Sequence, residues 1–172
     1  ATLTSKKDMV VKTTLTNNGT LDGFGNLTNN GTMTNNGTVK QMTVTNNGTI
    51  TTDSEKLIAA NGITNNGKLT FTGGRTTVSD ITGNGTDDSR VELKTGGNFN
   101  INNTIANTNI DLYNSVLSFG TNGDISNATS FNIYGGEINL ANGSTNTLSL
   151  GNVNLNGLVK MQVDADLANK TM

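Results

Sequence analysis

Five copies of Thr-Asn-Asn-Gly, each set between two aliphatic residues, punctuate the first part of this chain, and the early copies keep step: Leu15, Leu21, Leu27, Met33 and Val39 are each six residues apart. A unit this short cannot bury an apolar face alone. Copies must stack on one another, and stacked strands build a rod.

One copy, Thr14 to Leu21, reads as a short strand and a corner. Threonine and aliphatic residues suit a half-buried pleated strand, so Leu15 is expected to point inward and Thr14 and Thr16 outward. Asn17, Asn18 and Gly19, and again Asn29, Asn30 and Gly31, supply residue types that tolerate positive φ, the expected device for turning the chain. Asn-Gly between apolar runs is also a hairpin signal. Hairpin arms run to about five residues, however, and a six-residue spacing leaves too little chain to pair antiparallel.

Farther along, apolar-x-apolar triplets recur in two interleaved series. The first is Leu69/Phe71, Val91/Leu93, Ile110/Leu112, Phe131/Ile133 and Val153/Leu155; the second is Phe99/Ile101, Leu117/Phe119, Ile138/Leu140 and Val159/Met161. Two series with nearly equal steps are what two faces of a solenoid would produce. Gly73-Gly74, Gly96-Gly97 and Gly135-Gly136 fall between them, where bends are needed. The expected fold is all-β, a single-stranded parallel β-helix of eight or nine coils in one domain spanning 1–172. Within it, 1–12 is a candidate N-terminal cap carrying Lys6, Lys7 and Asp8, 13–70 holds the Asn-Asn-Gly repeats, and 71–172 holds more divergent coils. At about 4.8 Å per coil the rod would be roughly 40 Å long.

Asn, Thr and Gly supply 81 of the 172 residues, a bias that can signal disorder. The regular aliphatic positions and a formal net charge of −2 favour a narrow stacked core instead. Asn residues at equivalent corners can form amide ladders, each side chain bonding to those above and below. Proline is absent, which suits a chain that is strand almost throughout.

Composition also weighs against several functions. No apolar run is long enough to span a membrane as a helix, and the 11 basic residues are too scattered to form a nucleic-acid footprint. Without Cys or His, thiolate chemistry, triads and the usual transition-metal ligands are missing. The acids that remain are Asp87-Asp88 in a polar stretch, Asp53 and Glu55 around Ser54, and Asp164 and Asp166 at alternating positions. Alternation would place that last pair about 7 Å apart, within glycosidase range. With two arginines and no Trp to build a substrate groove, the expectation is no enzyme, no cofactor and no metal; solvated loop charge explains these acids. Tyr113 and Tyr134 follow the inward Leu112 and Ile133 at a 21-residue step, so they should stack facing outward, with Lys94 one coil earlier and Asn156 one coil later. They are the candidate surface-contact residues.

The Thr-Asn-Asn-Gly-Thr units at Gly19, Gly31, Gly37 and Gly48, and the tail from Leu155 to Leu167, resemble the passenger regions of bacterial autotransporters and filamentous-haemagglutinin-like adhesins. The resemblance implies a right-handed coil, secretion to the bacterial cell surface, and attachment to a protein or glycan on a host or neighbouring cell. It also implies that the chain is a segment of a longer surface protein. The six-residue spacing, and the 18-residue intervals Ile63, Ile81 and Phe99, would also suit a left-handed hexapeptide helix, the architectural runner-up. Thr14/Thr16, Thr32/Thr34, Thr43/Thr45 and Thr49/Thr51 raise a second function, a solenoid that binds a glycan or ice through ranked threonines. Open coil ends further predict end-to-end self-association.

Overall fold

The structure is a computed structural model describing residues 1–73, 75–77, 79–94, 96–141 and 149–163. Every strand pairing in it is parallel, and the chain winds as a β-solenoid of about eight turns. The hairpin reading is thereby excluded.

The first four coils each have three short sides. Coil 1 is β1 (Thr2–Ser5), β2 (Met9–Val11) and β3 (Thr14–Asn17); coil 2 is β4 (Thr20–Gly23), β5 (Asn26–Asn29) and β6 (Thr32–Asn35). Coil 3 is β7 (Thr38–Gln41), β8 (Thr43–Asn46) and β9 (Thr49–Asp53), and coil 4 is β10 (Leu57–Ala59), β11 (Ile63–Asn65) and β12 (Lys68–Gly73). Residues 1–12 thus supply two strands of the first coil. First sides stack as sheet A (β1, β4, β7, β10), while second and third sides begin sheets B and C.

Beyond Gly73 the coils loosen. Sheet B continues through β13 (Ile81–Gly83) and β16 (Ile105–Ala106), and sheet C through β14 (Arg90–Leu93), β17 (Asn109–Leu112), β19 (Ser130–Ile133) and β21 (Val153–Leu155). Sheet A gives way to sheet D, built from β15 (Asn98–Ile101), β18 (Ser115–Phe119), β20 (Gly136–Asn139) and β22 (Val159–Gln162). Thr76 links the two: its carbonyl accepts from Ser54 Oγ at 3.1 Å, and the residue bridges in parallel to Asn100.

Inward side chains line up in columns. In sheet C, Leu15, Met33, Ile50, Leu69, Val91, Ile110, Phe131 and Val153 are in direct register, so the first triplet series is one continuous face of the core. In sheet D, Phe99, Leu117 and Ile138 follow the second series, but Ile138 pairs with Met161 and not with Val159. The expected Ile63, Ile81, Phe99 column also breaks: Ile81 pairs with Ile105 in sheet B, and Phe99 belongs to sheet D. A 24-residue step there exceeds what a fixed hexapeptide repeat allows.

The corners work differently from the sequence expectation. None of the Asn-Asn-Gly corners uses a left-handed backbone; among the described residues positive φ occurs at Asn107, Asn114 and six other glycines. Glycine is required by crowding instead. A Cβ on Gly37 would collide with the carbonyl oxygen of Gly19 one coil below, and one on Gly48 with that of Gly31. Strand alternation carries past the aliphatic residue, so the first Asn of each corner turns into the core: Asn29, Asn46 and Asn65 are fully buried.

These buried amides are satisfied by one another. Asn29 Nδ2 donates to Asn46 Oδ1 at 2.8 Å, and Asn46 Nδ2 to Asn65 Oδ1 at 2.8 Å. At the next corner Asn17 donates to Asn35 at 2.7 Å and Asn35 to Thr52 Oγ1 at 2.9 Å. Each amide also reaches a backbone carbonyl of the following coil, as Asn46 reaches that of Lys68 at 3.0 Å, which ties corner to corner. The second Asn forms a parallel ladder in solvent, Asn36 to Asn18, Asn47 to Asn30, and Asn66 to Asn47, all between 2.8 and 2.9 Å. Among the described residues one buried side chain escapes this scheme: both amide atoms of Gln41 lack a partner, and its register neighbour on the next coil is Ala59, which has no polar side-chain atom.

Candidate functional site

With the coils in register, the outer face of sheet C is the longest continuous surface of the rod, and its chemistry changes along the axis. In β3, β6 and β9 the outward residues are Thr14, Thr32 and Thr49 in one column and Thr16, Thr34 and Thr51 in the other. The solvent ladders Asn18–Asn36 and Asn30–Asn47–Asn66 border this patch at its two corners. Thr43 and Thr45 are not part of it; they sit in β8 on sheet B. The pairing of the two columns ends at β12, where Lys68 stands opposite Thr49 while Thr70 still continues the second column opposite Thr51.

From Lys68 onward the same face is charged. The middle residues of the triplets, Thr70, Glu92, Asp111, Asn132 and Asn154, form one outward column. Glu92 is nearly enclosed, pairing with Lys68 Nζ at 2.9 Å and Lys94 Nζ at 3.0 Å and accepting from Thr70 Oγ1 at 2.9 Å. Burial works against its charge, but those hydrogen bonds prevail and hold its carboxyl below the usual glutamate range. Asp111 is fully buried, held by Arg90 on one oxygen and by Asn132 Nδ2 at 2.7 Å on the other. Burial opposes the Arg90 charge, and Asp111 more than offsets it, so the guanidinium is held even more firmly protonated than usual.

Tyr113 and Tyr134 lie beside this column, stacked with centroids 4.8 Å apart and rings 7° from parallel. Lys94 Nζ sits 5.0 Å from the Tyr113 centroid. The order Lys94, Tyr113, Tyr134, Asn156 anticipated from spacing is repeated by backbone bonds from each residue to the coil before it. Stacking has a chemical consequence. Both faces of Tyr113 are occupied, one by a cation and one by a ring, and Asn156 follows Tyr134 one coil later, so edges and hydroxyls are what the pair offers. Burial and the nearby Asp111 and Glu92 charges push the Tyr113 phenol above its ordinary value.

The acids weighed from the sequence do not converge. Asp87 and Asp88 are exposed in the loop between β13 and β14. Asp53 accepts from the backbone of Glu55 at 3.0 Å, capping a single 3-10 turn, while Glu55 is exposed. Asp164 and Asp166 lie outside the described residues, as do Gly74 and the end of the tail. Among the described residues no three acidic side chains group to hold a metal ion, and no helix is long and apolar enough to cross a membrane. Glu92 and Asp111 escaped sequence reasoning, although their place as the middle residue of an apolar triplet marked them as outward neighbours on adjacent coils.

No protein-family model, curated protein or solved structure matches this chain. The functional reading therefore rests on the surface itself.

Proposed function

We propose that this rod is a structural and adhesive segment of a secreted bacterial surface protein, acting as a stalk or attachment element and not as a catalyst. The observation that carries the reading is repetition outside as well as inside: the same outward threonine or asparagine recurs on successive coils of sheet C, giving an extended shallow display. Such a display suits many weak contacts along a length. Its partner would be a protein or glycan on a host or neighbouring cell. Antibody raised against the fragment should label intact cells of the producing organism, and deleting the parent protein should lower attachment or aggregation. Unchanged attachment in a clean deletion would count against the proposal.

A second reading draws on the six in-register threonines of β3, β6 and β9. They form an uncharged array with a spacing near 4.8 Å along the rod and about 7 Å across it, suited to an ordered hydroxylated surface such as ice or packed glycan chains. Absence of thermal hysteresis removes the ice version. End-to-end association is proposed as well, supported by the apolar mouth that Leu3, Met9, Val11, Leu15, Leu21 and Leu27 line at the first coil. Strictly monomeric sedimentation at high concentration would contradict it.

A further inference from the structure

Tyr113 and Tyr134 are the only tyrosines of a chain that has no tryptophan, histidine or cysteine. Its readily oxidised aromatic side chains are therefore gathered at one place, just past the register pair Leu112 and Ile133 of β17 and β19. The rings are 7° from parallel with centroids 4.8 Å apart, and Tyr134 is 39% exposed. Backbone bonds keep them side by side: the Tyr113 N–H donates to the carbonyl of Leu93 at 3.0 Å and the Tyr134 N–H to that of Leu112 at 2.8 Å. Lys94 covers the other face of Tyr113, so the ring stacked on each phenol is its neighbour one coil away.

Two phenols held this way have a reaction open to them. A one-electron oxidant takes an electron from a phenol, the hydroxyl proton leaves with it, and the unpaired spin spreads onto the ring carbons beside the oxygen. The oxidant need reach only the exposed Tyr134, because an electron passes readily between stacked rings. Once both rings are oxidised, two of those carbons pair their spins in a new C–C bond, and the hydrogens they carried move to the oxygens and restore both phenols. The pair gives up two electrons and two protons in all. One hydrogen peroxide accepts them through a haem peroxidase and leaves as two waters. Stacking favours the bond-forming step, since the spin lies in the π system on the faces that already overlap.

We propose that Tyr113 and Tyr134 form an oxidative cross-linking site, at which hydrogen peroxide and a haem peroxidase couple them into an intrachain dityrosine that staples β17 to β19. The bond closes the loop 113–134 and constrains the unfolded chain as a disulfide would, in a protein without cysteine.

The test treats the full 172-residue chain, dilute enough to keep chains apart, with hydrogen peroxide and a haem peroxidase, and reads dityrosine by its fluorescence, the intact mass and a peptide map. The expected product is lighter by two hydrogens and still monomeric on a denaturing gel, with the peptide carrying Tyr113 joined to the one carrying Tyr134. In denaturant its yield should drop at least about tenfold, because a flexible linker alone then brings the rings together. A Tyr134→Phe/Asn156→Tyr variant keeps two tyrosines on the same outer column but sets them two coils apart, and its intrachain yield should drop at least about tenfold as well. Coupling between chains in place of within them overturns the proposal, as does an undiminished yield in denaturant or in the variant. Absence of dityrosine under conditions that couple free N-acetyltyrosine refutes it too.

Discussion

The coils before Gly73 and those after it solve one stacking problem in two ways. In the first region Thr32 pairs with Thr49, Thr2 with Thr20 and Ile50 with Leu69, steps of 17, 18 and 19 residues; in the second, Phe99 pairs with Leu117, Lys68 with Arg90 and Ile81 with Ile105, steps of 18, 22 and 24. The inner corner column of sheet C accounts for the change. It runs Asn17, Asn35, Thr52 and then Phe71, Leu93, Leu112, Ile133. An amide ladder works only if each corner repeats the geometry of the one below, whereas apolar side chains accept any corner that keeps them inside. Amide-lined corners keep coil length within a narrow range, 17 residues from Asn29 to Asn46 and 19 from Asn46 to Asn65, and apolar columns release it. Released corners then carry the charge and the aromatic rings.

Several substitutions would break or sharpen that contrast. The largest effect is expected in the second region, where Arg90→Met leaves the buried Asp111 without its cation and should cost about 3 kcal/mol in denaturant unfolding. Gly37→Ala should cost about 2–3 kcal/mol by forcing a methyl against the backbone of Gly19, while Gly85→Ala, whose Cβ would meet open space, should cost only about 1 kcal/mol from its left-handed φ. Asn46→Ala interrupts the buried ladder and should lose about 2 kcal/mol, against at most about 0.5 kcal/mol for Asn66→Ala on the solvent ladder. Gln41→Leu should gain about 1 kcal/mol by removing two unpartnered amide atoms.

Acid should separate the regions too. Because the Glu92 carboxyl lies below its usual range in the folded rod, its contribution is complete above the unfolded value and disappears as pH falls through the lowered one. Amide exchange under acid should therefore open the strands around Glu92 before the threonine and asparagine coils. Simultaneous opening would remove the electrostatic distinction between the two regions.

Much of this was legible in the chain. Leu69/Phe71 through Val153/Leu155 gave the register of sheet C because an apolar-x-apolar triplet marks both the inward face and the coil step. Val159 misled because the path from β20 to β22 is two residues longer than the triplet series implied, a difference no local pattern encodes. The inward turn of Asn17 followed from strict alternation and was obscured by reading Asn only as a turn former. Corner glycines pointed to positive φ when their actual constraint, a backbone one coil away, is a contact between residues eighteen positions apart. Glu92 and Asp111 became visible as a site only once neighbouring coils could be superimposed.

The account depends on Thr34 lying beside Thr51 on the next coil while Thr45 faces another side. Since the chain has no cysteine, a Thr34→Cys/Thr51→Cys variant reports on this directly: side-by-side parallel strands bring the two within disulfide reach. Rapid closure of that bond under mild oxidation, with Thr34→Cys/Thr45→Cys remaining reduced, is the expected result. Closure of the second pair but not the first would contradict stacked parallel coils.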